Sequence, residues 1–225
     1  MMESRTAAVF GSTGLIGNLL LEELAESGKY SHVRSFVRQS TGIRENRIEE
    51  IVSDLQDVSS IASWINTDDL FICLGTTIKK AGSVTNMEKI DRDLPYDIAA
   101  AAFRNGVRNV SVVSSLGASS RSSNFYLRIK GEMEEKIMGL GFENLSIVRP
   151  SMLLGERKEK RTGERVGKVV MKAFRPVLVG KLSKYRAIHA ADVASAMISL
   201  NLGPGGTRIV ESDELQRIAD SCFKQ

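Results

Sequence analysis

Cysteine, histidine, tryptophan and proline are all scarce in this chain, at two, two, one and four of 225 residues. Cys73 and Cys222 are too few and too far apart to suggest a disulfide framework or a thiolate metal cluster, and His32 and His189 lack the partners a metal centre needs. No metal site is therefore expected, and the thiol pattern points to a reducing, cytoplasmic setting. No apolar run approaches the length that spans a bilayer. The first residues are polar and lead straight into a strand, without a charged-then-apolar leader, so neither membrane insertion nor targeting is expected. The charge excess is only +4. That does not select nucleic acid as a partner, and an anionic cofactor accounts for it equally well.

What the chain does have is a regular alternation of short apolar runs with amphipathic stretches, the pattern of strand-helix units around a parallel sheet. The fold class expected is α/β: a Rossmann-like doubly wound parallel sheet with helices on both faces. Its length suits one domain. Residues 1–150 read as the cofactor-binding core and residues 151–225 as a small substrate-side extension without independent folding. Strands are predicted at Thr6–Phe10, Val33–Val37, Ile48–Ser53, Leu70–Leu74, Val110–Ser114, Leu145–Val148 and Thr207–Val210. Helices are predicted at Leu15–Ser27, Val58–Ile65, Ile98–Asn105, from Asn124 toward Gly139, near Val166–Phe174, at Val193–Leu200 capped by Asp192, and at the C-terminus. Pro95 marks the first turn of the Ile98 helix or a break in it.

The first chemical motif is Gly11-Ser12-Thr13-Gly14-Leu15-Ile16-Gly17, between a strand and a helix. In that context Gly11 permits a tight turn, Gly14 lets the backbone approach a diphosphate, and Gly17 allows close helix packing. The helix adds free N–H groups and the positive end of its dipole. Ser12 and Thr13 bring hydroxyls within reach of a phosphate. The position that usually carries an acid for the NAD ribose, about twenty residues on, holds Arg38 instead. A guanidinium suits a 2′-phosphate in charge and geometry, which favours NADP(H) over NAD(H).

The second motif is Tyr126-x-x-x-Lys130. Four residues apart on a helix, the two side chains leave from one face. A nearby ammonium favours the phenolate and brings a tyrosine toward the working pH range, so Tyr126 can act as general acid or base, while Lys130 can also hold ribose hydroxyls. Ser114-Ser115 ends the preceding strand, where a hydroxyl meets a ligand in the crevice. Ser115 is the first choice to bind a substrate oxygen and Ser114 the alternate.

Together these residues resemble the atypical branch of the short-chain dehydrogenase/reductase superfamily, and more closely the Tat-interacting-protein oxidoreductase family of NADPH-binding proteins. The likeness rests on Cys73-Leu74-Gly75-Thr76-Thr77, on Ser122-Ser123-Asn124 through Tyr126 and Lys130-Gly131-Glu132, and on Arg149-Pro150 with Leu153-Leu154. It implies that Gly11 through Gly17 hold the diphosphate and Arg38 the 2′-phosphate. It further implies that Asp54-Leu55 border the adenine, that Leu74-Gly75-Thr76-Thr77 pass beneath the cofactor, and that Pro150 through Leu153, with Met152, meet the nicotinamide. Ser115, Tyr126 and Lys130 match the catalytic trio, although the serine-tyrosine interval is shorter than the usual thirteen and the glycine spacing is the atypical one.

The expected function is an NADPH-dependent carbonyl reductase or alcohol dehydrogenase acting on a small molecule. The family also implies the alternative, an NADPH-binding sensor that regulates a protein partner with little or no catalysis. A nucleotide-sugar epimerase with permanently held NAD fits poorly with Arg38 and the short C-terminal part. A homodimer is left open, as is a lid formed by residues 152–165. His189 reads as structural, the sign-alternating run Glu156 to Arg161 as a solvated loop, and Met171, Phe174 and Tyr185 as core or pocket wall. Lys168, Lys172, Arg175, Lys181, Lys184 and Arg186 leave room for an acidic partner.

Overall fold

The computed structural model describes residues 4–155 and 180–222. Seven strands form one sheet: β1 (Arg5–Phe10), β2 (Tyr30–Val37), β3 (Ile48–Val52), β4 (Asp69–Ile72), β5 (Asn109–Val113), β6 (Asn144–Arg149) and β9 (Gly206–Glu211). All pair in parallel, in the order β3-β2-β1-β4-β5-β6-β9. The order reverses between β1 and β4, so a crevice opens beyond their carboxyl ends, where doubly wound folds bind ligands.

Helices cover both faces because the central strands are apolar on both sides; Ala7 to Phe10 and Leu70 to Ile72 are wholly buried. A 3-10 helix (Val58–Trp64), α4 (Leu94–Arg104) and α5 (Phe125–Met138) lie on one face, where Phe10 stacks on Phe36 with centroids 4.2 Å apart. Helices α1 (Leu15–Glu26) and α6 (Ala190–Leu202) cover the other, and α7 (Ser212–Cys222) flanks α6.

Three expectations change. The helix after His189 begins at Ala190 with His189 at its N-cap, so Asp192 does not cap it; it sits in the first turn, where its charge favours the positive dipole end. Strand β2 starts three residues earlier than predicted. Tyr30 is drawn in because its hydroxyl donates to Asp69 (2.9 Å), which Arg5 clasps with two further bonds of 2.7 and 2.8 Å. The predicted helix at Val58 adopts tighter 3-10 turns, opened by Asp57 accepting from the Ser59 amide.

Residues 78–93 carried no sequence expectation, since four- and five-residue helices are too short for a periodic pattern. They form α2 (Ile78–Ala81), capped by Thr77, α3 (Val84–Glu88), capped by Ser83, and a π turn (Lys89–Asp93) that runs directly into α4. Pro95 stands in the first turn of α4, just after the change from π to α. Beyond residue 150, β9 joins the main sheet. A small parallel pair, β7 (Leu153–Leu154) with β8 (Ile188–His189), and a 3-10 turn (Gly180–Tyr185) fall between β6 and β9 in chain order. The expected helix at 166–174, the charged run 156–161 and nearly all of the suggested lid fall outside the described residues.

Candidate active site

Gly11, immediately after β1, has φ +84°, and a Cβ there would lie 2.6 Å from the Cys73 carbonyl oxygen; conformation and the neighbouring strand end both demand glycine. A Cβ at Gly17 would lie 2.2 Å from the Gly11 oxygen, so at this position α1 closes on the loop itself, while its apolar face packs on the sheet. Gly14 is the N-cap of α1, with no side chain capping the first turn and no acidic residue in it. The helix thus presents uncapped N–H groups at the crevice, a donor set that fits an anion such as a diphosphate. Thr13 is exposed beside them, whereas Ser12 turns inward: its oxygen accepts from Ser35 Oγ at 2.8 Å beneath the loop.

Arg38 follows β2, exposed and without a partner among the described residues. At the end of β3, Asp54 is exposed and accepts the Gln56 amide, while buried Leu55 has φ +62°, a backbone state leucine rarely adopts. The adenine-side position is thus a strained turn. Beneath the loop, Cys73 is an inert neighbour, its thiol pushed up to about 12 by burial.

Helix α5 carries the other half. Asn124 caps it by accepting from the Leu127 amide (3.1 Å), and it ends at Gly139. Tyr126 is half-buried and its hydroxyl has no hydrogen-bond partner among the described residues. Lys130, one turn further on, is 1% exposed. Its Nζ lies 3.0 Å from Asp91 Oδ1, 3.3 Å from the Leu74 carbonyl and 3.5 Å from that of Val113. The ammonium is therefore held at the carboxyl ends of β4 and β5. Ser114 is 4% exposed and its Oγ has no hydrogen-bond partner among the described residues, and Ser115 beside it is half-buried.

Three contacts that position this half escaped sequence reasoning. Asp91, wholly buried in the π turn, accepts the Thr76 amide (2.9 Å) as well as facing Lys130. A Cβ at Gly131 would lie 2.2 Å from the backbone of Ser119 and Ser120, so this glycine lets the loop after β5 rest on α5. Arg149 clasps buried Glu134 through Nε–Oε1 (2.9 Å) and a second bond from its NH2 group, joining β6 to α5. The dipeptides Lys130-Gly131 and Arg149-Pro150 were visible in the sequence, but their partners were not.

The segment after β6 returns to the crevice. Pro150 is buried and its carbonyl accepts the Leu116 amide; Ser151 is tied to Ser212 and Arg186; Met152 is exposed and Leu153 pairs with Ile188. At Gly155 a Cβ would lie 2.9 Å from a Leu15 methyl, which brings this segment against the start of α1.

Residues 11–201 match the model of a family described as NAD(P)H-binding. The chain belongs to that family. Among its relatives, Protein FMP52, mitochondrial, of Eremothecium gossypii is 34% identical over 217 residues, 93% of this chain and 95% of that protein. Protein HTATIP2 of Rattus norvegicus is 32% identical over 208 residues, 91% and 84% of the two chains. The protein is an atypical short-chain dehydrogenase/reductase close to the HTATIP2 type. Among solved structures, MoeE5 in complex with UDP-glucose and NAD aligns with a TM-score of 0.69 at 16% identity, covering 97% of this chain and 82% of that one. UDP-N-acetylglucosamine 4-epimerase from Bacillus cereus aligns with a TM-score of 0.66 at 18% identity, covering 97% and 84%. These share the fold. The cytoplasmic expectation is overturned, because relatives from Eremothecium gossypii, Candida glabrata and Candida albicans are all named mitochondrial. Scarce cysteine argues against a disulfide framework and cannot separate one reducing compartment from another. No helix among the described residues is long and apolar enough to cross a membrane.

Proposed function

We propose that this protein is an NADPH-dependent oxidoreductase that reduces a small carbonyl compound or oxidises the matching alcohol. The observation that carries the reading is the arrangement on α5: Lys130 held at the ends of β4 and β5, with Tyr126 one turn before it and its hydroxyl without a partner among the described residues. Gly11 through Gly17 would hold the diphosphate, Arg38 the 2′-phosphate, and Asp54 and Leu55 the adenine edge. Leu74, Gly75, Thr76 and Thr77 would form the floor, with Pro150, Met152 and Leu153 at the nicotinamide end. NADPH, when bound, supplies a hydride. Tyr126 gives its phenolic proton to the substrate oxygen in the reducing direction and takes one back in the other. Lys130 would hold the ribose hydroxyls, and Ser115 would donate a hydrogen bond to the substrate oxygen, with Ser114 as its alternate. The mitochondrial names of its relatives support a mitochondrial setting for this activity.

Positioned acid-base help is worth about a hundred- to ten-thousand-fold in rate. Tyr126→Phe is therefore expected to lose that much NADPH oxidation against a panel of aldehydes, ketones and quinones, with NADPH affinity retained. Unchanged turnover in the variant would remove Tyr126 from the mechanism. A second reading, a sensor that couples NADPH occupancy to a protein partner, is favoured by the pairing of the Lys130 ammonium with Asp91 rather than with Tyr126. Tight NADPH binding with no oxidation anywhere in the panel would select it.

A further inference from the structure

We infer that Asp91 is a positioning residue for the cofactor site, acting through Lys130. The inference rests on the reading of Lys130 as a ribose ligand. Three observations carry it.

Asp91 and Lys130 are 0% and 1% exposed, and each charge would be costly to bury alone. The Asp91 carboxylate lies 3.0 Å from Nζ and is the acidic group paired with that ammonium among the described residues. It offsets the Lys130 charge at a depth where an unpaired ammonium would be costly to bury.

The ammonium is nevertheless incompletely satisfied. Its two carbonyl contacts are long, at 3.3 and 3.5 Å, and Asp91 Oδ1 lies near it without hydrogen-bonding alignment, so that this buried oxygen has no hydrogen-bond partner among the described residues. A lysine has three N–H groups to place. An ammonium held by charge, with weak hydrogen bonds, keeps donors for the hydroxyls of a ribose.

Asp91 also organises the floor. Its second oxygen accepts the Thr76 amide at 2.9 Å, and Lys130 in turn donates to the Leu74 carbonyl. One carboxylate therefore fixes both the lysine and the strand-end loop that would pass beneath the cofactor. Gly75 between them would meet Asp91 Oδ1 at 3.5 Å with any added Cβ. Nothing at residues 89–93 resembles a dinucleotide motif. The π turn nonetheless brings Asp91 into the crevice, and such turns recur at functional sites.

The test is a double-mutant cycle read by calorimetric titration of NADPH and of NADH into wild type, Asp91→Asn, Lys130→Met and the double variant. Asparagine keeps an acceptor for Thr76 and removes the charge. Removing an acid near an anionic cofactor would, by charge alone, tighten binding. The expected result is the opposite: about tenfold weaker binding of both nucleotides in Asp91→Asn, the size of effect that supporting residues commonly exert on a bound group. It is expected to add nothing to Lys130→Met. A purely structural aspartate would weaken binding in both backgrounds, and that outcome overturns the inference, as does unchanged or tighter binding in Asp91→Asn. If Asp91→Asn does not fold, the comparison of Lys130→Met with the double variant, which removes both charges, decides alone: equal affinities sustain the inference and unequal ones overturn it. Unchanged affinity in Lys130→Met would instead sink the ribose role of Lys130, and this inference with it.

Discussion

The two ends of the crevice are built by opposite means. The glycine end is made of backbone: Gly11 takes a conformation other residues avoid, Gly17 lets a helix rest on the loop, and the start of α1 offers amides that no side chain claims. The α5 end is made of buried charge: Lys130 against Asp91 and Glu134 against Arg149, with a Ser114 hydroxyl just after β5 that has no hydrogen-bond partner among the described residues. Backbone suits an invariant ligand such as a diphosphate, which needs donors and room. Buried charge suits proton transfer, whose chemistry depends on how a neighbour is ionised. The first end is sensitive to added atoms at Gly11 and Gly17, and the second to the loss of one partner of a charge pair.

That contrast is broken most directly at Gly17. Gly17→Ala places a methyl 2.2 Å from the Gly11 oxygen, a backbone atom that cannot rotate away. Stability is expected to fall by about 3 kcal/mol or more, together with loss of nucleotide binding, as read by thermal unfolding with and without NADPH. A variant that folds normally and binds as wild type would mean that the loop does not need this close approach.

The other end is probed at Glu134, which touches no part of the glycine loop. Glu134→Gln leaves Arg149 without its charged partner, and breaking a buried pair typically costs about 3 kcal/mol. The expected signature is a lower unfolding temperature, restored toward wild type when Arg149→Met is added, with NADPH affinity changed less than threefold. Affinity lost in parallel with stability would show that the two ends are not separable.

The same contrast explains what could be read from the sequence. The sheet and its order of units were legible because buried parallel strands are short apolar runs, and Leu70-Phe71-Ile72 can hardly be anything else. The glycine loop was legible because its requirements lie within seven consecutive residues. Tyr126 and Lys130 were legible as a spacing and Arg38 as the basic residue after β2. Asp91 was not, because a counter-ion is defined by a contact between distant segments, and the π turn that delivers it has no periodic signature. Gly131 and Glu134 escaped for the same reason: one is needed by the loop at Ser119 and Ser120, the other by an arginine on β6. The start of α6 was misplaced because Asp192 has the chemistry of a cap, while the two alanines before it continue the helix just as well. Localisation was misread because cysteine scarcity carries no address.

The central claim, that this crevice takes NADPH with Arg38 on its 2′-phosphate, is tested most directly by titrating NADPH and NADH calorimetrically into the wild-type chain and into Arg38→Ala. A charge-assisted contact is worth roughly 1.5–3 kcal/mol. One site per chain is expected, with NADPH bound about tenfold or more tightly than NADH in wild type and the two nearly equal in the variant. Equal affinities in wild type, or a preference for NADPH that survives the loss of Arg38, would contradict it.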